Sequence, residues 1–468
     1  HREAQATPGD ENARLRSSLV RASRRLANLM MAGPGEADAQ FRDHLEAARR
    51  EKEKIEIDLA AKSRDLGQDR AGRDLGLEDV EAHLPEGSAL VSYAVYRRPP
   101  PPGKSSEPVE SYLAFLLRRG DRRPRAVSLG SAREIDDLVH RFRVEVTRTP
   151  SGGTTAAQAE RACRREGEAL RRKVWDPLAP ALKSASRVFI VPDGTLSLVN
   201  LYALPAGDAD YLIDQGVSIH YLSSERDLVP DETRGPRGRG LLALGGPAFD
   251  AAVSAGPADR APTSGLRGFS TFRPACADVR GLRFDPLPGS DLEAGHVVEL
   301  WRSTAAPAPE PALHLSGPEA SEPAFKREAP GKRILHLATH GFFTGACAAT
   351  ANRQRGIGGL APAQPPGAGA GVSESPLLLS GLALAGANRR DAAGPEEEDG
   401  ILTAEEIAVM DLSGVRWAVL SACNTGLGTA TAGEGVLGLR RAFRIAGVES
   451  VVMSLWAVED ASARKWIE

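Results

Sequence analysis

Residues 334–341 read Ile-Leu-His-Leu-Ala-Thr-His-Gly, and residues 418–426 read Ala-Val-Leu-Ser-Ala-Cys-Asn-Thr-Gly. Each stretch is a short apolar run, typical of a buried strand, that ends in a polar residue before a glycine-bearing turn. Strands that alternate with helical patterns are typical of a largely parallel sheet, whose carboxyl ends meet at one edge. The two stretches therefore predict a layered α/β fold that brings His340 and Cys423 to the same edge.

The alternation of strands and helices extends outward from these two stretches over most of the chain. Strands are predicted at 88–96, 112–117, 187–191, 216–222, 240–244, 333–339, 380–385, 417–421 and 450–455. Helices are predicted at 132–146, 157–182, 291–300, 319–327, 403–409 and 434–446. Two insertions, a Gly/Ala/Pro-rich one at 344–375 and a charged one at 388–400, are predicted to be mobile loops that order or are clipped on activation.

The first part of the chain has a different pattern. From Glu11 to about Leu66, apolar residues recur every three or four positions among many charges, with an interruption at Gly33-Pro34-Gly35. This pattern predicts an antiparallel pair of amphipathic helices that acts as a solvated spacer. We expect a helical hairpin over 1–75, a non-catalytic α/β half over 76–235 and a catalytic half over 236–468. A start at His1 without a leader and a last helix that stops early suggest an internal piece, truncated at its C-terminus.

Composition excludes several classes of function. With 59 basic and 62 acidic residues, the net charge of −3 gives no reason to expect a nucleic-acid or anionic-membrane partner. The longest apolar runs have about a dozen residues, too few to cross a bilayer. Cys163, Cys276, Cys347 and Cys423 are widely separated and show no zinc-ligand or disulfide pattern. We therefore expect a protein of the reducing cytoplasm, without a metal or other cofactor.

A cysteine and a histidine at neighbouring strand ends have the chemistry of a nucleophile and its base. The imidazole can take the thiol proton, and backbone N–H groups of Gly341 and Cys423 can stabilise the oxyanion that forms. The alternative remains open that both are structural, because a lone cysteine is often a small core residue and a strand histidine is often a hydrogen-bonded structural group. His336, four residues before His340 and on the same face of the predicted strand, is predicted to lie in the core or to support His340.

Several stretches in the second half of the chain together resemble the CHAT family, which comprises caspase-related cysteine proteases that are also similar to separases. The histidine motif is His-Leu-Ala-Thr-His-Gly at 336–341, and the cysteine motif is Leu-Ser-Ala-Cys-Asn-Thr-Gly at 420–426. The other matching stretches are 379–388, 399–407, 433–443 and 454–460. The resemblance extends, more weakly, back to about residue 80.

The resemblance implies a caspase-like α/β/α sandwich with a mostly parallel sheet, in which His340 is the general base and Cys423 the nucleophile of peptide-bond hydrolysis. It also implies that Asp460 lines a pocket for a basic side chain, near Ser454 and Trp456. A carboxylate there would bind Arg or Lys through charge-assisted hydrogen bonds. Asp460 also precedes a helical pattern, so a role as a helix N-cap is an alternative that is compatible with the first.

The N-terminal helices resemble the segment that joins tetratricopeptide repeats to CHAT domains in bacterial proteins. This implies a regulated endopeptidase in antiviral defence or programmed cell death, controlled by an upstream helical sensor region. Its substrate would be a partner protein, such as a gasdermin-like or other operon-encoded effector. The alternative from a different class is a catalytically silent caspase-like scaffold that transmits a binding signal.

Overall fold

The computed structural model describes most of the chain, and the insertion predicted at 344–375 lies outside the described residues. The described residues are 10–32, 41–67, 75–99, 107–121, 123–148, 155–230, 236–252, 282–303, 310–343, 377–378, 380–394, 396–421, 430–431, 435–436, 438–455 and 465. None of the helices within these ranges is long and apolar enough to cross a membrane.

The chain begins with the helical hairpin that its periodicity predicts. Helices α1 (Asp10–Ala32) and α2 (Phe41–Gly67) pack against each other and run antiparallel, because Arg25 pairs with Glu51 while Lys62 pairs with Glu11. The prediction of a solvated spacer is wrong, however.

Buried residues of both helices form small clusters with the second half of the chain. The residues of these clusters are Leu26, Ala27, Leu45, Ala48 and Leu378 in one, and Leu19, Leu59 and the half-buried Val409 in another. The hairpin is therefore docked on the second half of the chain through its apolar stripe.

The first α/β unit is built around a mixed five-stranded sheet. Its elements are α3 (Leu77–His83), β1 (Ser88–Arg98), β2 (Val109–Arg118), β3 (Arg125–Ser131), α4 (Ala132–Val146), α5 (Ala156–Val174), α6 (Ala179–Leu182), β4 (Arg187–Val191), β5 (Pro205–Ala206), β6 (Asp210–Tyr211) and β7 (Ser218–Tyr221). The sheet order is β3-β2-β1-β4-β7, antiparallel from β3 to β1 and parallel from β1 to β7. The predicted helix at 157–182 is divided into α5 and α6, and β3 was not expected.

The second α/β unit contains an all-parallel sheet in the order β17-β14-β10-β8-β9. Its elements are β8 (Leu241–Pro247), α7 (Pro288–Ser303), β9 (Ala312–Gly317), α8 (Glu322–Glu328), β10 (Ile334–Ala338), β11 (Gly341–Phe343), β12 (Ser380–Ala383), β13 (Ile401–Thr403), α9 (Ala404–Val409), β14 (Trp417–Ser421), β15 (Ala430–Thr431), β16 (Gly435–Val436), α10 (Leu439–Ala446) and β17 (Ser450–Met453). Strand β9 was not expected, and the helix predicted at 434–446 begins only at Leu439.

Helices cover both faces of this parallel sheet. Successive side chains of a strand point to opposite faces, and in β8 Leu241 and Ala243 pack with α7, whereas Leu242 and Leu244 belong to a large core shared with α8, α9 and α10. The result is an α/β/α sandwich, so the predicted mixed α/β, caspase-like fold is confirmed. A small antiparallel sheet, β11-β12-β13, follows directly from the carboxyl end of β10.

The charged insertion at 388–400 is not the loose loop that its composition predicts. It begins within a 3₁₀ helix (Ala387–Ala392), and Arg390 and Asp399 are buried within it. The Glu398 carboxylate lies 2.7 Å from Lys326 Nζ and 2.5 Å from the Arg24 guanidinium. The prediction failed because it counted the charges of this stretch without their partners, which come from α8 and from the hairpin.

Candidate functional site

The backbone around His340 is tied to β12 immediately after β10 ends. The Thr339 hydroxyl donates a hydrogen bond to the Ala383 carbonyl (2.5 Å), and the Ala383 N–H donates to the His340 carbonyl (2.9 Å). Both bonds lie at the junction between the parallel sheet and the small antiparallel one. These bonds fix the backbone of His340 at the carboxyl edge of the parallel sheet.

The imidazole of His340 is oriented by a backbone carbonyl and two aromatic rings. Its Nε2 lies 2.8 Å from the Asp285 carbonyl oxygen, and its ring centre lies 5.4 Å from that of Phe249 and 5.7 Å from that of Phe284. Because a carbonyl oxygen can only accept, Nε2 must carry the hydrogen in this contact. In the neutral ring the lone pair then lies on Nδ1, which is the nitrogen able to accept a proton.

The backbone N–H of Gly341 is directed away from β12. Gly341 stands opposite Leu382 in the antiparallel ladder, and the flanking Ala383 N–H bonds to the His340 carbonyl. Hydrogen-bonded and non-hydrogen-bonded pairs alternate along such a ladder, so the Gly341–Leu382 pair is of the non-bonded type. The orientation is compatible with the predicted oxyanion role.

Cys423 itself lies outside the described residues, but the strand that leads to it is described. Strands β10 and β14 are parallel neighbours with Ala338 opposite Ser421. His340 and Cys423 each follow by two residues along the chain. The pairing therefore places the carboxyl ends of β10 and β14 side by side, at the spacing of about 4.8 Å that neighbouring strands have.

The predicted substrate-binding residues are only partly described. Strand β17 pairs with β14 so that Met453 stands opposite Leu420. Ser454 follows β17 at the same carboxyl edge of the sheet and is half-buried. Trp456 and Asp460 lie outside the described residues, so the pocket for a basic side chain stays a prediction.

A family comparison agrees with this arrangement of strands. The model of the CHAT domain family matches residues 164–468, about two thirds of the chain. The chain belongs to the CHAT-domain family. Its parallel sheet with helices on both faces is the caspase-like architecture of a CHAT domain. The matched range begins later than the start near residue 80 that the resemblance predicted. A search of curated proteins found no match.

His336 of the CHAT domain is a core residue that contacts α7. Its side chain is almost fully buried, and its Nε2 lies 2.8 Å from the Oε1 of Glu293, which is buried to the same degree. A hydrogen-bonded partner is what a buried imidazole and a buried carboxylate both require. The pair fastens α7 to β10, two residues before the strand ends.

A second group of charges lies between α8, α9 and the 388–400 segment. Lys326 Nζ lies 2.6 Å from Glu322, 2.7 Å from Glu398 and 2.8 Å from Glu406. The three carboxylates are close enough together to bind a metal ion, but the Lys326 ammonium already supplies a positive charge at their centre. The geometry is that of a buried ion network that joins three segments of the second α/β unit.

Burial and the charges of this network raise the pKa values of two carboxyl groups, Asp399 and Glu322. Burial, with a further contribution from the Glu406 charge, raises the pKa of Asp399 to about 7. The same two causes, in the same order, raise the pKa of Glu322 well above its ordinary value, against the attraction of Lys326. Two buried carboxyl groups of the CHAT domain therefore favour their neutral forms more than exposed carboxyl groups do.

Several residues that contact His340 or His336 were not identified from the sequence. Phe249 and the adjacent pair Phe284 and Asp285 follow β8 and precede α7, where nothing in the local sequence indicates a contact with His340. Glu293 lies within a predicted helix and looks like a surface residue. A usable signal existed only for Asn388, which ends one of the stretches that carry the family resemblance.

Proposed function

We propose that this CHAT domain is a cysteine endopeptidase, with Cys423 as nucleophile and His340 as general base. The observation that carries the proposal is the His340 imidazole, fixed by Asp285 at the end of β10 beside the strand that leads to Cys423. A base needs a defined lone pair near the nucleophile. The Nε2–H tautomer supplies that lone pair at Nδ1.

The reaction follows from these groups. His340 Nδ1 takes the proton of the Cys423 thiol, and the thiolate attacks the peptide carbonyl carbon. The oxyanion of the tetrahedral intermediate accepts hydrogen bonds from the N–H groups of Gly341 and Cys423. The imidazolium then returns its proton to the leaving amine as the C–N bond breaks. Water, deprotonated by the same imidazole, hydrolyses the thioester and regenerates the thiol.

The proposed substrate is a partner protein cleaved after a basic residue, which Asp460, Ser454 and Trp456 would recognise. This part rests on the resemblance to the separase-like branch of the family. The same resemblance supports a regulated enzyme, an upstream helical or tetratricopeptide sensor, and an operon-encoded effector in bacterial defence as the target. Docking of the hairpin on the catalytic half is compatible with control from that side.

The test uses an irreversible thiol-reactive peptide probe that ends in arginine, with the labelled cysteine located by mass spectrometry. We expect labelling of Cys423 in the wild type, and its loss in Cys423→Ala and in His340→Ala. Cys163→Ala is the matched control, because Cys163 is a partly buried free thiol whose pKa is raised, chiefly by burial. Labelling that persists in Cys423→Ala would refute the proposed nucleophile.

The same probe distinguishes the enzyme from a silent scaffold and tests the pocket. A scaffold predicts no labelling of Cys423 under any activating condition, including the presence of the sensor region. Asp460→Arg is expected to abolish labelling by the arginine probe while a matching probe with a neutral residue still reacts. Equal loss of both probes would remove Asp460 from substrate recognition without affecting the assignment of Cys423.

A further inference from the structure

The orientation of His340 depends on a segment that is remote from it in sequence. The Asp285 carbonyl holds the Nε2 of His340, and the ring of the preceding residue, Phe284, contacts the imidazole. A backbone carbonyl can orient a ring only if its own position is fixed. The question is therefore what holds residues 284 and 285.

One end of this segment is fastened by α7. The Gly246 N–H donates to the Ser290 hydroxyl, which in turn donates to the Leu287 carbonyl. Glu293, one turn further on, is bound to His336. A Cβ added to Gly245 would clash with the Ser290 carbonyl oxygen, which shows how closely α7 approaches β8. These contacts fix the start of the helix but not Phe284 itself.

Phe284 is held by the side chain of Asn388. The Asn388 Oδ1 accepts a hydrogen bond from the Phe284 N–H, and its Nδ2 donates to the Phe284 carbonyl, both at 2.9 Å. The same Nδ2 lies 3.2 Å from Asp250 Oδ1. An amide side chain both donates and accepts, so it can bond to both backbone groups of one residue.

The backbone of Asn388 also reaches the other aromatic neighbour of the imidazole. Its N–H donates to the Phe249 carbonyl (2.9 Å), and the Phe249 ring lies beside His340. Asn388 thus bonds to the backbone of both phenylalanines that flank His340, and the residue after Phe284 supplies the orienting carbonyl.

The geometry points to Asn388 as a positioning residue for catalysis: through Phe249 and Phe284 it holds the Asp285 carbonyl that selects the Nε2–H tautomer of His340. This inference rests on the proposed function for its catalytic consequence. Asn388 itself does not touch the imidazole, so its effect is transmitted through the backbone of its partners.

The critical variant is Asn388→Asp, which keeps the shape but replaces the Nδ2 donor by a carboxylate oxygen. That oxygen faces the Phe284 carbonyl and Asp250, neither of which can donate to it. We expect the maximal rate of Cys423 labelling to fall about tenfold to a hundredfold, with little change in the probe concentration that gives half-maximal rate. A displaced base slows the reaction step without removing the probe's binding contacts.

Thr155→Ala is the control for a general loss of stability. Thr155 caps α5 in the first α/β unit through the Gln158 N–H, and replacing an N-cap residue by alanine destabilises its helix. We expect it to lower the unfolding midpoint without changing the labelling rate. An equal rate loss in both variants would overturn the positioning role.

A second measurement decides the inference independently of activity. Nitrogen-15 spectra of histidine-labelled protein, assigned with His340→Gln, report which ring nitrogen carries the hydrogen. We expect Nε2–H for His340 in the wild type and a shifted tautomer balance in Asn388→Asp. An unchanged His340 spectrum in Asn388→Asp would overturn the inference. Absence of wild-type labelling would instead count against the proposed function alone.

Discussion

The carboxyl edges of the two sheets are built alike but carry different side chains. In the first sheet the parallel strand β4 ends at Val191 and is followed by Asp193 and Gly194; in the second, β10 ends at Ala338 and is followed by His340 and Gly341. Each edge therefore presents a polar residue and a glycine just beyond a buried parallel strand. This is the location at which open α/β sheets bind ligands.

The polar groups of the first edge are used to hold the backbone. Asp193 accepts hydrogen bonds from the Val95 and Gly194 N–H groups, both at 2.8 Å. Nearby, Tyr112 and Thr195 share the Asp136 carboxylate, and burial raises the pKa of Tyr112 above its ordinary value. These bonds pair donors and acceptors within the fold, so the first edge is a structural joint.

At the second edge, the described contacts of the His340 side chain come from the Asp285 carbonyl and from the rings of Phe249 and Phe284. The Asp285 carbonyl accepts a hydrogen bond from Nε2 of His340. The lone pair of the neutral ring therefore lies on Nδ1, which does not take part in this bond. The difference shows that strand topology determines where the polar residue lies. Its type and its hydrogen bonds determine whether it supports the fold or is available for chemistry.

The largest expected difference between the edges is in activity. His340→Gln keeps an N–H that can donate to the Asp285 carbonyl but lacks a basic nitrogen. We expect the rate of Cys423 labelling to fall about 10²- to 10⁴-fold, with an unfolding midpoint close to that of the wild type. Retention of the wild-type rate would show that the second edge, like the first, is structural.

The next largest effect concerns the buried charges that distinguish the second unit. Lys326→Met leaves three carboxylates without their central cation, and breaking such a buried pair costs about 3 to 5 kcal/mol of unfolding free energy. The matched control is Lys173→Met in the first unit, whose partner Glu134 is largely exposed and whose loss costs about 0 to 1 kcal/mol. Denaturant unfolding measures both, and equal losses would contradict the central role of Lys326.

A smaller effect is expected at the first edge. Asp193→Ala leaves two backbone N–H groups without their acceptor, which costs about 1 to 3 kcal/mol of folding free energy. The helical turn that Asp193 caps, Gly194–Leu198, contacts β15 and β16 of the second unit, so we expect a small loss of Cys423 labelling, well below that of His340→Gln. Exposed Asp137→Ala serves as the control for the loss of one negative charge. A drop in labelling as large as that of His340→Gln would contradict a purely structural role of the first edge.

The last expected effect is a pH dependence of stability that Asp399 contributes in the second unit. The pKa of Asp399 is about 7 in the folded protein against an ordinary 3.8, so the folded state binds the proton more tightly. Stability from this group is therefore lost as the pH rises from about 4 through 7. Glu406, Lys326 and Arg390 also act on this carboxyl group.

Asp399→Asn keeps an Oδ1 that can accept from the Ile401 N–H, now at 2.8 Å, but it cannot titrate. We expect thermal midpoints of the variant and the wild type to agree near pH 4 and the variant to be the more stable near pH 8. The same difference at both pH values would contradict the perturbed titration of Asp399.

Much of the second unit could be predicted from local sequence. The apolar runs at 334–338 and 417–421 form buried strands, and His340 lies at the predicted edge, because a buried parallel strand has a recognisable composition. The five residues of β10 can be identified as a strand without knowledge of any distant partner. Strand β9 escaped because Ala312–Gly317 carries a histidine and a serine among its apolar residues.

The segment 388–400 shows where local reasoning fails. Its acidic run indicates an exposed loop when read alone, yet Lys326 and Arg24 turn it into a packed segment. Those partners lie about 70 and more than 300 residues away in sequence. Likewise, nothing near Asn388 indicates that it will bond to Phe284 from 104 residues away.

Periodicity and short-range composition were enough to predict the alternation of strands and helices, the hairpin, the edge of the sheet and the residue types placed there. The folded chain was needed to learn which nitrogen of His340 carries the hydrogen, which charges are neutralised, and that the hairpin packs against the CHAT domain. Each of these depends on contacts between residues far apart in the chain, and a local pattern contains no information about which partner will be near.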